Sequence, residues 1–282
     1  MKRFFLSSFI IISLVACSTQ DTNPTGDLAD APELPKVTSM KIDLSSFPKD
    51  NRQLQGLNHA GHVMTSTQTK ANFGNAAFRV GVLNLALAAA LTPPAAVFAV
   101  ALSTEPTLED NKYHWNFSAN SGADQFKAHL TGWPSINNDR KPVVNLEMQV
   151  TCTACKHPVT DYLWYKGEFQ TNGSQGYWNF YNPEIEGSDQ SFVKIDYHIE
   201  GDSHADLTFT NIRSDGHEDA GDIIEYSLHE DTAKVQVHDQ NKNLDYVVDW
   251  SVSNKNGSIT VPDYNSGNKA CWDKNLVNTE CE

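Results

Sequence analysis

The side chains best suited to chemistry in this 282-residue chain are its cysteines, five in all, and its ten histidines. Cys152-Thr-Ala-Cys155-Lys156-His157 places two thiols three residues apart, with an imidazole just beyond. A c-type haem needs His directly after the second Cys, and Lys156 stands there instead. A thioredoxin-like redox pair opens a helix, which Lys156-His157-Pro158 does not offer. Zinc could take Cys152, Cys155 and His157, but no second pair with suitable spacing follows. Cys152, Cys155, Cys271 and Cys281 form an even set, which in an exported protein reads first as two disulfides. Three pairings exist. The local pairs Cys152–Cys155 and Cys271–Cys281 are favoured, and the second would pin the C-terminus back on itself, contributing about 2–3 kcal/mol by chain entropy.

Asp196, His198 and Glu200, continued by Asp202, His204 and Asp206, occupy alternate positions and share one face of a strand. Such a face can hold a metal through Asp196, His198 and Glu200. It is also what the wet side of a half-buried strand looks like, since Ile195, Tyr197 and Ile199 take the other side. His59-Ala-Gly-His62 lacks the Glu of a zinc-protease helix, and Asp215, Glu218, Asp219 and Asp222 lack the register of a Ca²⁺ loop. There is no nucleophile elbow, phosphate-cradling loop or dinucleotide fingerprint, so no cofactor is expected. A glycosidase carboxylate pair would be set by spatial separation, which spacing along the chain does not reveal. Among the aromatics, Trp164, Tyr177 and Trp178 are the candidates for lining a sugar or lipid groove, against the alternative that they are core and cross-strand pairs.

The net charge is −14 and the pI about 5.0. Residues 151–282 hold nine Lys/Arg against 23 Asp/Glu, so the whole imbalance belongs to the second half. Phosphate binding needs clustered Lys/Arg, so nucleic acid is not an expected partner, nor is electrostatic docking to anionic lipid. An acidic exterior serves solubility first and attraction of cations or basic partners second.

Lys2 and Arg3 precede the apolar run Phe4–Leu14, too short for a membrane span, which ends in Leu14-Val15-Ala16-Cys17. This resembles the lipobox of bacterial lipoproteins. The resemblance implies cleavage after Ala16, a diacylglyceryl thioether on Cys17 and acylation of its amine, with palmitate-type chains giving stable anchorage. Ser18 rather than Asp at the next position implies outer-membrane sorting, by resemblance to the enterobacterial rule. Residues 1–16 are then a signal peptide and 17–39, polar and rich in Pro, Gly and Asp, a disordered tether.

The elements that must position these side chains lie in 40–282, read as a single domain. Met40, Ile42 and Leu44 alternate with Lys41, Asp43 and Ser45, predicting a first strand over 40–47, and 48–74 reads as loop. Ala- and Leu-rich stretches flank Thr92-Pro93-Pro94, predicting two helices, 75–91 and 94–103, joined by a Pro-Pro corner. The first holds Arg79 and Asn84 and falls short of a span, so the pair is expected to form a core rather than to cross a membrane. Beyond Glu109 the period is two throughout. Roughly ten strands follow, with tight turns at Asn172-Gly173 and Asn256-Gly257 and no helical crossovers, which predicts an antiparallel meander. The expected fold is mainly β, a barrel or half-barrel curled around the helix pair.

The lipobox and tether, the helix pair before a meander, the Trp164-Tyr165-Lys166-Gly167 and Gly176-Tyr177-Trp178 hairpin, and the closing Cys271-Trp272-Asp273 to Cys281 together resemble a family of uncharacterised bacterial envelope lipoproteins. More distantly, the architecture is similar to the lipoprotein-carrier half-barrels of the Gram-negative envelope. These likenesses imply an outer-membrane lipoprotein, facing periplasm or surface, without catalysis, that binds a hydrophobic ligand or an envelope partner. A surface glycan hydrolase using paired carboxylates is the alternative from another class.

Overall fold

The computed structural model describes residues 31–49, 68–182, 191–213, 219–242 and 244–281. Period-two sequence becomes strand after strand: β1 (Thr107–Glu109), β2 (Lys112–Ser121), β3 (Asp124–Ile136), β4 (Pro142–Cys152), β5 (Val159–Gln170), β6 (Gln175–Tyr181) and β7 (Ser191–Glu200). They continue as β8 (His204–Asn211), β9 (Ile223–His229), β10 (Thr232–Asp239), β11 (Leu244–Ser251), β12 (Gly257–Thr260), β13 (Ala270–Trp272) and β14 (Asn278–Thr279). Every strand pairs antiparallel with its sequence neighbours, so the fourteen form one meander in strict chain order. The count exceeds the expected ten mainly through the short strands β1, β13 and β14, which carry too few residues to show a period. Among the described residues β1 pairs only with β2 and β14 only with β13, so the sheet is not a closed barrel.

The expected helix pair is one helix, α1 (Ala71–Ala101), which runs straight through Pro93 and Pro94. Each interior proline removes an N–H and costs about 3 kcal/mol. The turns around them bury Leu91, Ala95, Val97, Phe98 and Ala101, and burying a large apolar side chain returns roughly 1.5–3 kcal/mol. Packing therefore overrides the local break. The helix begins at Ala71, inside the stretch read as loop. Asn72 secures that end: its N–H donates to Asn278 Oδ1 (3.0 Å), its amide donates to the Cys271 carbonyl (2.7 Å), and Tyr264 donates to its Oδ1 (2.6 Å). Two turns later Arg79 Nη2 reaches both carboxylate oxygens of Asp263 (2.7 and 2.9 Å). α1 packs against β2 and β3 towards one end of the sheet and against β12, β13 and β14 at the other.

The first predicted strand is absent. Residues 37–40 form a 3-10 turn, and the chain then crosses the sheet without a ladder partner. Its alternation is real, with Met40, Ile42, Leu44 and Phe47 buried, but it marks a strap laid across side chains and not a strand. Trp178 on β6 donates to Ser39 Oγ (3.0 Å), Tyr226 on β9 to the Asp43 carbonyl (3.3 Å) and Trp250 on β11 to Ser46 Oγ (3.3 Å). Leu34 and Pro35 already lie against the β5–β6 turn at Gly173, so residues placed with the tether by composition join the packed body. α1 and the strap together supply the apolar cover for one face of the sheet, and the core sits between them and that face.

Candidate ligand-binding cleft

The geometry of the candidate site begins with errors in register. β4 and β5 pair regularly down to Met148↔Tyr165, but the next pair is Gln149↔Leu163, leaving Trp164 as an extra residue. A bulge of this kind turns a side chain that should face outward towards the inner face. The Trp164 ring accordingly stacks on Phe126 of β3, centroids 5.0 Å apart at 24°. A second irregularity follows between Val150↔Tyr162 and Cys152↔Val159. There Asp161 takes φ 46°, its N–H donating to Thr151 Oγ1 while the Thr151 hydroxyl donates to the Asp161 carboxylate. A third lies between β6 and β7, where Phe180↔Val193 is followed by Tyr181↔Ser191 and Phe192 is the extra residue.

All three irregularities surround one cleft of about 400 Å³ between these strands and α1. Phe126, Val150 and Phe180 are buried in its floor, Tyr162, Trp164 and Phe192 line its sides, and Ala89, Ala90, Pro93 and Pro94 form the helical wall. The prolines matter chemically as well as sterically. Without N–H groups at 93 and 94, the carbonyls of Ala89 and Ala90 lose their usual helical donors beside the cleft. The polar lining is sparse: Asp124, Lys156, His157 and Asn182 among mostly aromatic and aliphatic groups, the usual make-up of a small-molecule site.

Cys152 pairs with Cys155 at disulfide distance (Cα–Cα 5.6 Å), and Cys271 with Cys281 (5.3 Å), as the local pairing expects. Donor atoms of Asp124, Cys152 and Cys155 lie within 4.8 Å of one another. Sulfurs joined to each other offer no thiolate, so the trio is not a metal site while the pair is bonded. The pair instead braces the end of β4 beside the cleft.

Of the aromatic candidates, the structure brings Trp164 alone into the cleft. Trp178 is fully buried in the core, edge-on to Phe98 and Tyr165. Tyr177 points to the outer face, where Lys194 lies 5.3 Å from its ring centre and burial raises its phenol above the usual value. Asp196, His198 and Glu200 do share the outer face of β7. They do not converge: Lys194 holds both Asp196 oxygens (2.6 and 2.8 Å), and His198 Nε2 contacts Glu200 Oε1 (3.0 Å). Cys17, His59, His62, Asp215 and Glu218 lie outside the described residues. Asp222 accepts the Gln240 N–H, and burial raises its carboxyl pKa.

Sequence reasoning missed Phe126, Tyr162, Phe180 and Phe192, because register errors that gather them leave no mark in a period-two pattern. It also missed two cross-strand imidazole pairs on the outer face, His114–His129 (3.0 Å) and His204–His229, the latter with Asp206 2.9 Å from His229. Burial, then the neighbouring His114, lowers the pKa of His129. Comparison with protein-family models, curated proteins and solved structures finds no match for this chain.

Proposed function

We propose that this chain is a lipid-anchored protein of the bacterial envelope, without catalysis, that holds an acyl chain in the cleft between α1 and strands β3–β7. The observation that carries the reading is the cleft itself. Three breaks in strand register converge on it, and they supply Trp164 and Phe192 to an apolar space of about 400 Å³. Lys156 at the lining matches a fatty-acid carboxylate, while Ala89 and Ala90 offer carbonyls to a hydroxyl donor. The finer architecture is a half-barrel: an open sheet, both of whose ends lie against α1, with the strap filling its inside. The lipobox sequence at Leu14–Cys17 supports the anchor, and the paired cysteines suit an oxidising compartment. A glycan hydrolase would need two carboxylates across a cleft, and Asp124 is the one carboxylate among the described residues that line this cleft.

The test is titration of the purified protein with a fluorescent fatty acid, with native mass spectrometry to weigh what remains bound. The expected result is saturable binding with one chain per protein, weakened at least tenfold by Trp164→Ala, which removes the ring stacked on Phe126. Binding that Trp164→Ala leaves unchanged, or no binding, overturns the ligand reading. Mass analysis of the N-terminal peptide decides the anchor separately: Cys17 carries acyl groups, or the lipoprotein reading fails.

A further inference from the structure

Both ends of α1 are explained by packing; its middle is not. Residues 81–90 are exposed on almost every side, with Leu83 the one buried residue in that stretch. Phe78, Val82 and Leu85 are 40 %, 54 % and 73 % exposed and stand at i, i+4 and i+7, one stripe along the helix. No charged residue occurs from Val80 to Thr104. A helix face turned to water ordinarily carries polar side chains, and a contiguous apolar one marks a contact surface.

We infer that this face docks onto a lipid bilayer, the one that holds the chain's own anchor. Burial, not length, separates docking from spanning. α1 as a whole is long and apolar enough to cross a membrane, but both its ends are packed into the body. The open stretch from Phe78 to Ala89 covers about 17 Å at 1.5 Å per residue, against a ~30 Å hydrocarbon core. Arg79 is tied to Asp263, Asn72 to β13 and β14, and Leu91, Val97 and Phe98 are buried in the core, so crossing would require pulling the helix out of the packed body. It lies along the surface with its stripe in the acyl boundary. Reach is not limiting. Cys17 is 14 residues before Ala31, where the described body begins, and that length spans at most roughly 50 Å, which keeps the face within range of the membrane at high effective concentration. The stripe's next step is Ala89, in the wall of the cleft. Docking therefore sets the cleft mouth against the acyl layer, and a chain can move between bilayer and cleft along apolar surface. The choice of membrane rests on the lipid-anchor reading; the docking face does not. With a net charge of −14, attachment is apolar and is expected to resist salt.

The test places an environment-sensitive fluorophore at Leu85→Cys, or at the exposed control Asp202→Cys, in the intact acylated protein in phosphatidylcholine vesicles. The expected result is a blue shift at position 85, with quenching by nitroxides on the lipid chains, and neither effect at 202. Adding Val82→Glu, an exposed position where the fold is not at stake, should return the 85 label to the control level. Water-like emission at both positions overturns the inference. So does protection at 85 that disappears when protein is diluted at constant lipid, since the face then belongs to a second copy. If Cys17 proves unacylated, the same labels are read after adding the chain to preformed vesicles. Trp164→Ala should weaken fatty-acid binding at least tenfold while leaving the 85 signal intact, so the cleft and the face fail independently.

Discussion

The large inner-facing aromatics of the sheet are seated on glycines of the neighbouring strand. Gly167 lies opposite Trp178, Gly176 opposite Phe169, and Gly257 between Trp250 and Trp272. A Cβ on Gly167 would come 2.6 Å from Trp178 Cε3, and one on Gly257 would run into the Asp249 carbonyl and the Trp272 ring. The missing side chain is the space the ring occupies. Each indole also reaches a fixed acceptor: Trp178 to Ser39, Trp250 to Ser46 and Trp272 to the Lys255 carbonyl (2.8 Å). Alternation in Gly176-Tyr177-Trp178-Asn179-Phe180 already sets Trp178 and Phe180 on one face and Tyr177 on the other. Whether that face is core or groove depends on what covers it, and the strap that covers it starts 139 residues earlier. Gly257→Ala is expected to destabilise by about 1–3 kcal/mol, the cost of overpacking, because backbone and not a flexible side chain blocks the new methyl. Urea denaturation checks this: the midpoint should fall with the slope unchanged, and an unchanged midpoint would show that the Asp249 backbone and the Trp272 ring can both yield.

At the scale of elements, strands were legible and their exceptions were not. Period two located nearly every ladder because one face of each strand is buried, so sequence and register obey the same constraint. The strap obeys it too, burying Met40, Ile42 and Leu44, and so resembled a strand; the missing ladder partner is a fact of topology with no local signature. The bulges at Trp164 and Phe192 are equally silent. In α1 the failure was of a different kind, a local penalty at Pro93 and Pro94 outweighed by the burial of Phe98 and its neighbours. Helix propensity should still act where packing is absent. Gly81 sits in the exposed middle, and a Cβ there meets nothing within 4 Å. Gly81→Ala is therefore expected to stabilise the protein by about 0.5–1 kcal/mol, through lost unfolded-state freedom alone, and a higher urea midpoint would show it. A neutral result would mean that this stretch of α1 is already uncoupled from global unfolding.

Across the whole molecule, charge is kept outside and phenols are kept inside. Ser39 and Ser258 are the buried polar residues among those described, while the core holds the rings of Tyr165, Tyr197 and Tyr226. Burial holds the Tyr165 and Tyr197 phenols well above their ordinary range. Burial likewise pushes Tyr226 and Tyr246 up to about 12, the charge on Asp43 adding to the effect at Tyr226. An unfolded tyrosine loses its proton near pH 10. Between that pH and about 12 the unfolded chain has released protons that the native state still binds, so stability falls as pH rises. Below pH 10 both states are protonated and the contribution is fully present. The groups are spread over β5, β7, β9 and β11 on one continuous sheet, so no single strand can admit water to its phenol without disturbing its neighbours. The expected outcome of an alkaline titration is a cooperative loss of sheet circular dichroism above pH 10. A large fraction of the tyrosinate absorbance should appear in that same step, and not as a separate earlier wave. If the buried phenols ionised fully while the sheet signal held, water would already reach the inner face, and the covering role given to α1 and the strap would be wrong.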